Sequence, residues 1–101
     1  MKPSEALRSH QEDIRRVVEQ NHTRNPRVFG SVLHGIDTDQ SDLDLLVDTT
    51  EDTTLMDIAR IQGRLQKILG VSVDVLTPKA LPDSFRDRVL SEARPVCVVV
   101  L

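Results

Sequence analysis

Two apolar, β-prone stretches constrain this chain more than any other feature: one is broken by a glycine, and the other carries aspartates at alternate positions. The first reads Val28-Phe29-Gly30-Ser31-Val32-Leu33-His34-Gly35, the second Ser41-Asp42-Leu43-Asp44-Leu45-Leu46-Val47-Asp48. Aspartate is depleted within strands, so its repetition here has to be accommodated on one side of a sheet. Side chains at i and i+2 of a strand point the same way. Asp42, Asp44, Leu46 and Asp48 therefore share one face, and Leu43, Leu45 and Val47 share the other. The leucine face calls for a packed layer, while the acid face has to stay open to water or a ligand.

The turn and the acids make chemical sense together. A small turn after an apolar strand lets backbone N–H groups approach a phosphate chain. Carboxylates on one face repel one another, and hard divalent cations relieve that repulsion through oxygen ligands. Asp74, set between Val73 and Val75, is a third acid in an apolar run, an expensive placement unless it pairs or binds a metal. Three converging carboxylates suit two magnesium ions that clamp an in-line phosphoryl displacement, and Asp74 suits a general base on the incoming hydroxyl. An isolated D-x-D is better explained by solvated residues, and Gly30, Gly35 and Ser31 taken singly by ordinary turns. The combination is far more specific than either half.

The rest of the chain supplies helices and further strands. Leu7, Ile14, Val17 and Val18 predict a helix from Ser4, as its cap, to about Gln20. Asn21 to Pro26 reads as a polar connector, Arg27 to Val32 as the first strand and Asp42 to Val47 as the second. Ile58, Ile61, Leu65 and Ile68 mark a helix over Thr54–Leu69, with Gly70 as its stop. Val71 to Leu76 predicts a third strand, Pro82 to Ala93 a short helix, and Val96 to Val100 a β-prone apolar end. The expected architecture is α+β, a small mixed sheet backed by helices on one face, in a single domain over residues 1–101.

Composition narrows the partners. A net charge of −3 and a scarcity of aromatic residues (2%, with no Trp or Tyr) argue against a dedicated nucleic-acid binder and leave no stacking platform for bases. Cys97 is the only cysteine, so there is no internal disulfide or cysteine metal cluster; this fits a reducing, cytoplasmic setting. No transmembrane run or signal peptide is expected.

Gly30-Ser31 and Asp42-Leu43-Asp44, separated by ten residues, resemble the signature of the DNA polymerase beta-type nucleotidyltransferase superfamily. Arg27-Val28-Phe29, Ser41, Leu45-Leu46-Val47, Val73-Asp74-Val75-Leu76-Thr77 and Arg88 through Val96 are similar to its smallest members, the minimal nucleotidyltransferase (MNT) antitoxins of HEPN–MNT toxin–antitoxin modules. The resemblance implies that Gly30, Ser31, His34, Gly35 and Ser41 hold the phosphates of ATP. It implies that Asp42, Asp44 and Asp74 hold Mg²⁺ and carry the catalysis, Asp74 helping to activate the acceptor hydroxyl. It further implies transfer of AMP from ATP to a tyrosine of a partner HEPN toxin. His34 stands where such proteins often carry arginine, and Ile36 where they often carry an acid; a neutral imidazole grips phosphate less firmly than a guanidinium.

Two further functions compete with transfer to a protein: neutralisation of the partner by direct complex formation without catalysis, and transfer to a small molecule. The latter usually needs extra acceptor-binding structure, for which a chain this short has little room. A partner protein that brings its own surface is the simpler acceptor, and a homodimer or a hetero-oligomer is compatible with the apolar end.

Overall fold

The computed structural model describes residues 1–96, so most of the β-prone run expected over Val96–Val100, Cys97 included, lies outside the described residues. The elements are α1 (Pro3–Ser9), α2 (Gln11–Gln20), β1 (Thr23–Phe29), α3 (Gly30–Leu33), β2 (Leu43–Thr49), α4 (Leu55–Leu69), β3 (Val73–Leu76), a 3-10 turn (Pro78–Ala80), α5 (Arg86–Glu92) and β4 (Arg94–Pro95). The strands form one mixed sheet in the order β3-β2-β1-β4. β1 runs antiparallel to β2 and β4, and β3 runs parallel to β2.

Parallel neighbours need a crossover, and α4 supplies it. Thr54 caps α4 through a reciprocal box with Asp57, and Gly70 closes it at φ +72°. Its inward stripe is Ile61, Leu65 and Leu69, with Ile58 packed alongside. Ile68, expected in that stripe, is instead 36% exposed, because the i, i+4 row from Ile61 through Leu65 continues to Leu69. Leu43, Leu45 and Val47 of β2 pack with Val73 and Val75 of β3 against α2 and α4, in the larger of two apolar clusters.

The sequence places several boundaries differently. The expected first helix breaks at His10 (φ −127°, ψ 28°), whose N–H closes α1 onto the carbonyls of Ala6 and Leu7. Lys2 rather than Ser4 occupies the cap position, and the Ser4 amide donates to Asp37 Oδ2 at 2.9 Å. β1 begins at Thr23 rather than Arg27, so much of the expected polar connector is strand. A bulge between Arg24 and Arg27, with Asn25 at φ +54°, lets Pro26 sit inside the sheet. β1 ends at Phe29, because Gly30 turns the chain into α3 and takes Val32 out of the strand.

Beyond β3, the expected helix from Pro82 starts only at Arg86. The Arg86 guanidinium donates to the carbonyls of Pro78 (2.9 Å) and Leu81 (2.6 Å), pinning the turn that precedes α5. Phe29, Leu46, Leu81 and Val89 form the smaller cluster, on the same side of β2 as the acids. The acid face is thus roofed at one end by α5 and left to solvent around Asp42 and Asp74, both exposed. The outer edge of β3 is closed by α4: Gln66 Oε1 accepts the Val73 N–H at 3.2 Å, and Gln62 Oε1 accepts the Val75 N–H at 3.1 Å. Among the described residues, no helix is long and apolar enough to cross a membrane.

Candidate active site

The sheet brings the three acids together. Asp44 and Asp74 are register partners on β2 and β3, and Asp42 lies two residues before Asp44 at the mouth of β2. Across the other edge of β2, Asp44 pairs with Phe29, the residue before Gly30. This register explains the glycine. A Cβ on Gly30 would lie 2.3 Å from Asp44 Oδ2, and Gly30 holds φ at +75°. The turn is glycine because the carboxylate rests against it and because its backbone is left-handed. In the sequence the two motifs look like separate signals; in the fold they touch.

Asp74 departs from the expectation of a costly buried acid, because it is exposed while its neighbours Val73 and Val75 are buried. Its significance rests on its register with Asp44. Asp44 is half-buried, and its carboxyl is pushed up to about 6, first by burial, then by the charges of Asp74 and Asp42. Among the described residues, the three side chains enter none of the ion pairs. Protein groups leave the mutual repulsion uncompensated, so the site favours an added cation.

The donor set is all oxygen, which suits magnesium. Among the described residues, no group of three or more His, Cys, Asp or Glu side chains, the three acids included, is placed to hold a metal ion on its own. Magnesium does not require such a group: it is commonly held by one or two carboxylates, with substrate phosphates and water completing the octahedron. The residues fit an ion of that kind that arrives with a phosphate ligand.

The remaining residues expected at the site surround the turn. Ser31 lies in the single turn of α3, whose first amides have no acceptor within the helix. Gly35 closes α3 at φ +70°, its N–H donating to the Val32 carbonyl at 3.2 Å. The Ser41 hydroxyl accepts the Thr38 N–H at 2.9 Å, so it shapes the loop that leads into Asp42. His34 is exposed, with its Nε2 3.3 Å from Glu92 Oε2 of α5.

That pair stands between two cavities. One, of about 260 Å³, is lined by Phe29, Gly30, His34, Phe85, Arg88, Val89 and Glu92. The other, of about 380 Å³, is lined by Leu33, His34, Ser91, Glu92, Ala93 and Arg94. Residue-type reasoning gives Arg88, Glu92 and Arg94 no role, because only the packing of α5 beside Gly30 and the pairing of β4 with β1 bring them near the turn.

Residues 12–97 match the family described as nucleotidyltransferase domain. A Methanocaldococcus jannaschii protein provisionally named protein adenylyltransferase MJ0435 is 38% identical over 66 residues, covering 65% of this chain and 71% of that one. Protein adenylyltransferase MntA of Thermococcus cleftensis is 31% identical over 86 residues, covering 85% and 84%. A solved structure provisionally described as a minimal nucleotidyltransferase superposes with a TM-score of 0.81 at 40% identity, covering 91% and 94%. Two toxin–antitoxin complexes share the fold alone. One, with AMP-PNP, has a TM-score of 0.72 at 16% identity and covers 88% and 73%. The other, a tri-AMPylated Shewanella oneidensis HEPN toxin with its MNT antitoxin, has a TM-score of 0.66 at 14% identity and covers 92% and 73%.

Proposed function

The chain belongs to the nucleotidyltransferase family, and from that premise we propose that it is a protein adenylyltransferase acting as the antitoxin of a HEPN toxin. It moves AMP from ATP to a hydroxyl of that partner, a tyrosine in the first instance. The observation that carries this reading is the Asp44 carboxylate lying against the Gly30 turn, in register with Asp74. A phosphate chain seated on the turn is thereby placed beside acids that lack counter-charges.

The step balances simply. The acceptor hydroxyl oxygen attacks the α-phosphorus, the bond from that phosphorus to the bridging oxygen breaks, and pyrophosphate leaves. The hydroxyl proton passes to the carboxylate of Asp74, the exposed acid on the strand farthest from the turn. Asp42 and Asp44 hold Mg²⁺, which offsets the charge of the phosphates and acids. Gly30, Ser31, Gly35 and Ser41 shape the phosphate seat, with His34 at its rim.

The acceptor is on another molecule if it is a tyrosine, because this chain contains none. The pairing of MNT antitoxin with tri-AMPylated HEPN toxin in a complex of the same fold supports the choice of partner. The test is transfer of label from ATP carrying radioactivity in its α-phosphate to the cognate HEPN protein, with Mg²⁺ or with a chelator. Label on the partner with Mg²⁺, absent with the chelator and in Asp42→Asn, is the expected result. A stable complex that takes up no label would instead establish neutralisation by binding.

A further inference from the structure

We propose that Arg88 of α5 is the phosphate-binding cation of this site, gripping the β- and γ-phosphates that depart as pyrophosphate. The assignment rests on the transfer reading and adds to it a residue and a direction for the bound nucleotide. The direction follows from the sheet order. In-line displacement puts the attacking and leaving oxygens on opposite sides of the phosphorus. Asp74 stands on β3, on one side of β2, whereas Phe29 and Gly30 continue β1 on the other. With the acceptor on the Asp74 side, the leaving group points across β1 toward the cavity beneath α5.

Arg88 lines that cavity together with Gly30. The other cationic candidate on its wall, His34, already faces Glu92 at 3.3 Å, so any charge it carries is offset. Arg88 enters none of the ion pairs among the described residues. A guanidinium offers paired donors matched to phosphate oxygens. Phe29, Phe85 and Val89 give that wall an apolar side, and its one acid, Glu92, is the partner of His34. When the bond to the bridging oxygen breaks, the new negative charge therefore develops on the Arg88 side, away from the acids.

The experiment compares binding of ATP and of AMP, each with Mg²⁺, to the wild-type chain, Arg88→Ala and Arg88→Lys by calorimetry. A charge-assisted contact to the outer phosphates predicts that Arg88→Ala weakens ATP by about ten- to a hundredfold and leaves AMP binding unchanged. Arg88→Lys should recover part of the loss. Unchanged ATP affinity in Arg88→Ala, or an equal loss for AMP, would overturn the assignment; the equal loss would mean that the cavity takes the nucleoside. Wild type that binds neither nucleotide defeats the transfer reading and the assignment with it. Arg88 is exposed, so the thermal midpoint of the variants should match wild type. If Arg88→Ala alone unfolds, Arg88→Lys against wild type still decides, since a point charge without the paired fork should lose ATP affinity selectively.

Discussion

Replacing Asp44 by asparagine should stabilise the metal-free protein while disabling it. Asp44 is raised from 3.8 to about 6 by burial and by the neighbouring charges of Asp74 and Asp42. A carboxyl held above its unfolded value keeps its proton longer in the folded chain than in the unfolded one. Stability therefore falls as pH rises from about 4 to about 6 and stays reduced above that window. About two units at 1.36 kcal/mol each set an upper bound of roughly 3 kcal/mol, and solvent reaching the half-buried group reduces it to about 1–2 kcal/mol. Asp44→Asn keeps the shape and removes the charge, so urea unfolding without Mg²⁺ should show that gain at pH 7.5 and almost none at pH 4. The thermal midpoint should rise by about 4–8 °C for each kcal/mol gained. Asp74→Asn should recover a smaller part, since its charge is only the second contributor. Asp44→Asn that is less stable than wild type at pH 7.5, or equally stabilised at both pH values, would refute the reasoning.

Other perturbations follow from the same structure. Gly30→Ala should destabilise by at least about 1–2 kcal/mol for the left-handed backbone, with a further cost for displacing the Asp44 carboxylate. In Gly30→Ala/Asp44→Ala that further cost should vanish, and a double-mutant cycle in urea measures it. Thr54→Ala should cost about 1 kcal/mol by removing the cap of α4, read as an earlier urea midpoint with no loss of nucleotide binding. Gln62→Ala/Gln66→Ala should free the Val73 and Val75 amides at the β3 edge and promote self-association, which sedimentation at increasing concentration would detect.

Much of this was legible in the sequence because it depends on local periodicity. The alternation of Asp42, Leu43, Asp44 and Leu45 marked the Leu43–Leu45–Val47 face of β2 as buried, although Leu46 on the acid face is buried too, under α5, and Thr54 and Gly70 marked the ends of α4 to within a residue. Tertiary effects hid the remainder. Nothing local announces that Pro26 can enter a central strand; a bulge at Asn25 makes it possible. The helix break at His10 leaves no mark in the apolar spacing of Leu7, Ile14, Val17 and Val18. The contact between Gly30 and the Asp44 carboxylate requires the pairing of Phe29 with Asp44 across two strands. Arg88 and Glu92 look like ordinary surface residues of an amphipathic helix until α5 packs beside the turn.

The central claim is that the acids beside the Gly30 turn serve transfer to a partner rather than partner binding alone. Its most direct test is the intact mass of the HEPN protein purified from cells that also express this chain. The account predicts a gain of one or more AMP units with the wild type, and unmodified protein with Asp42→Asn even where the two chains still copurify. An unmodified HEPN protein that is nevertheless neutralised by the wild type would contradict it.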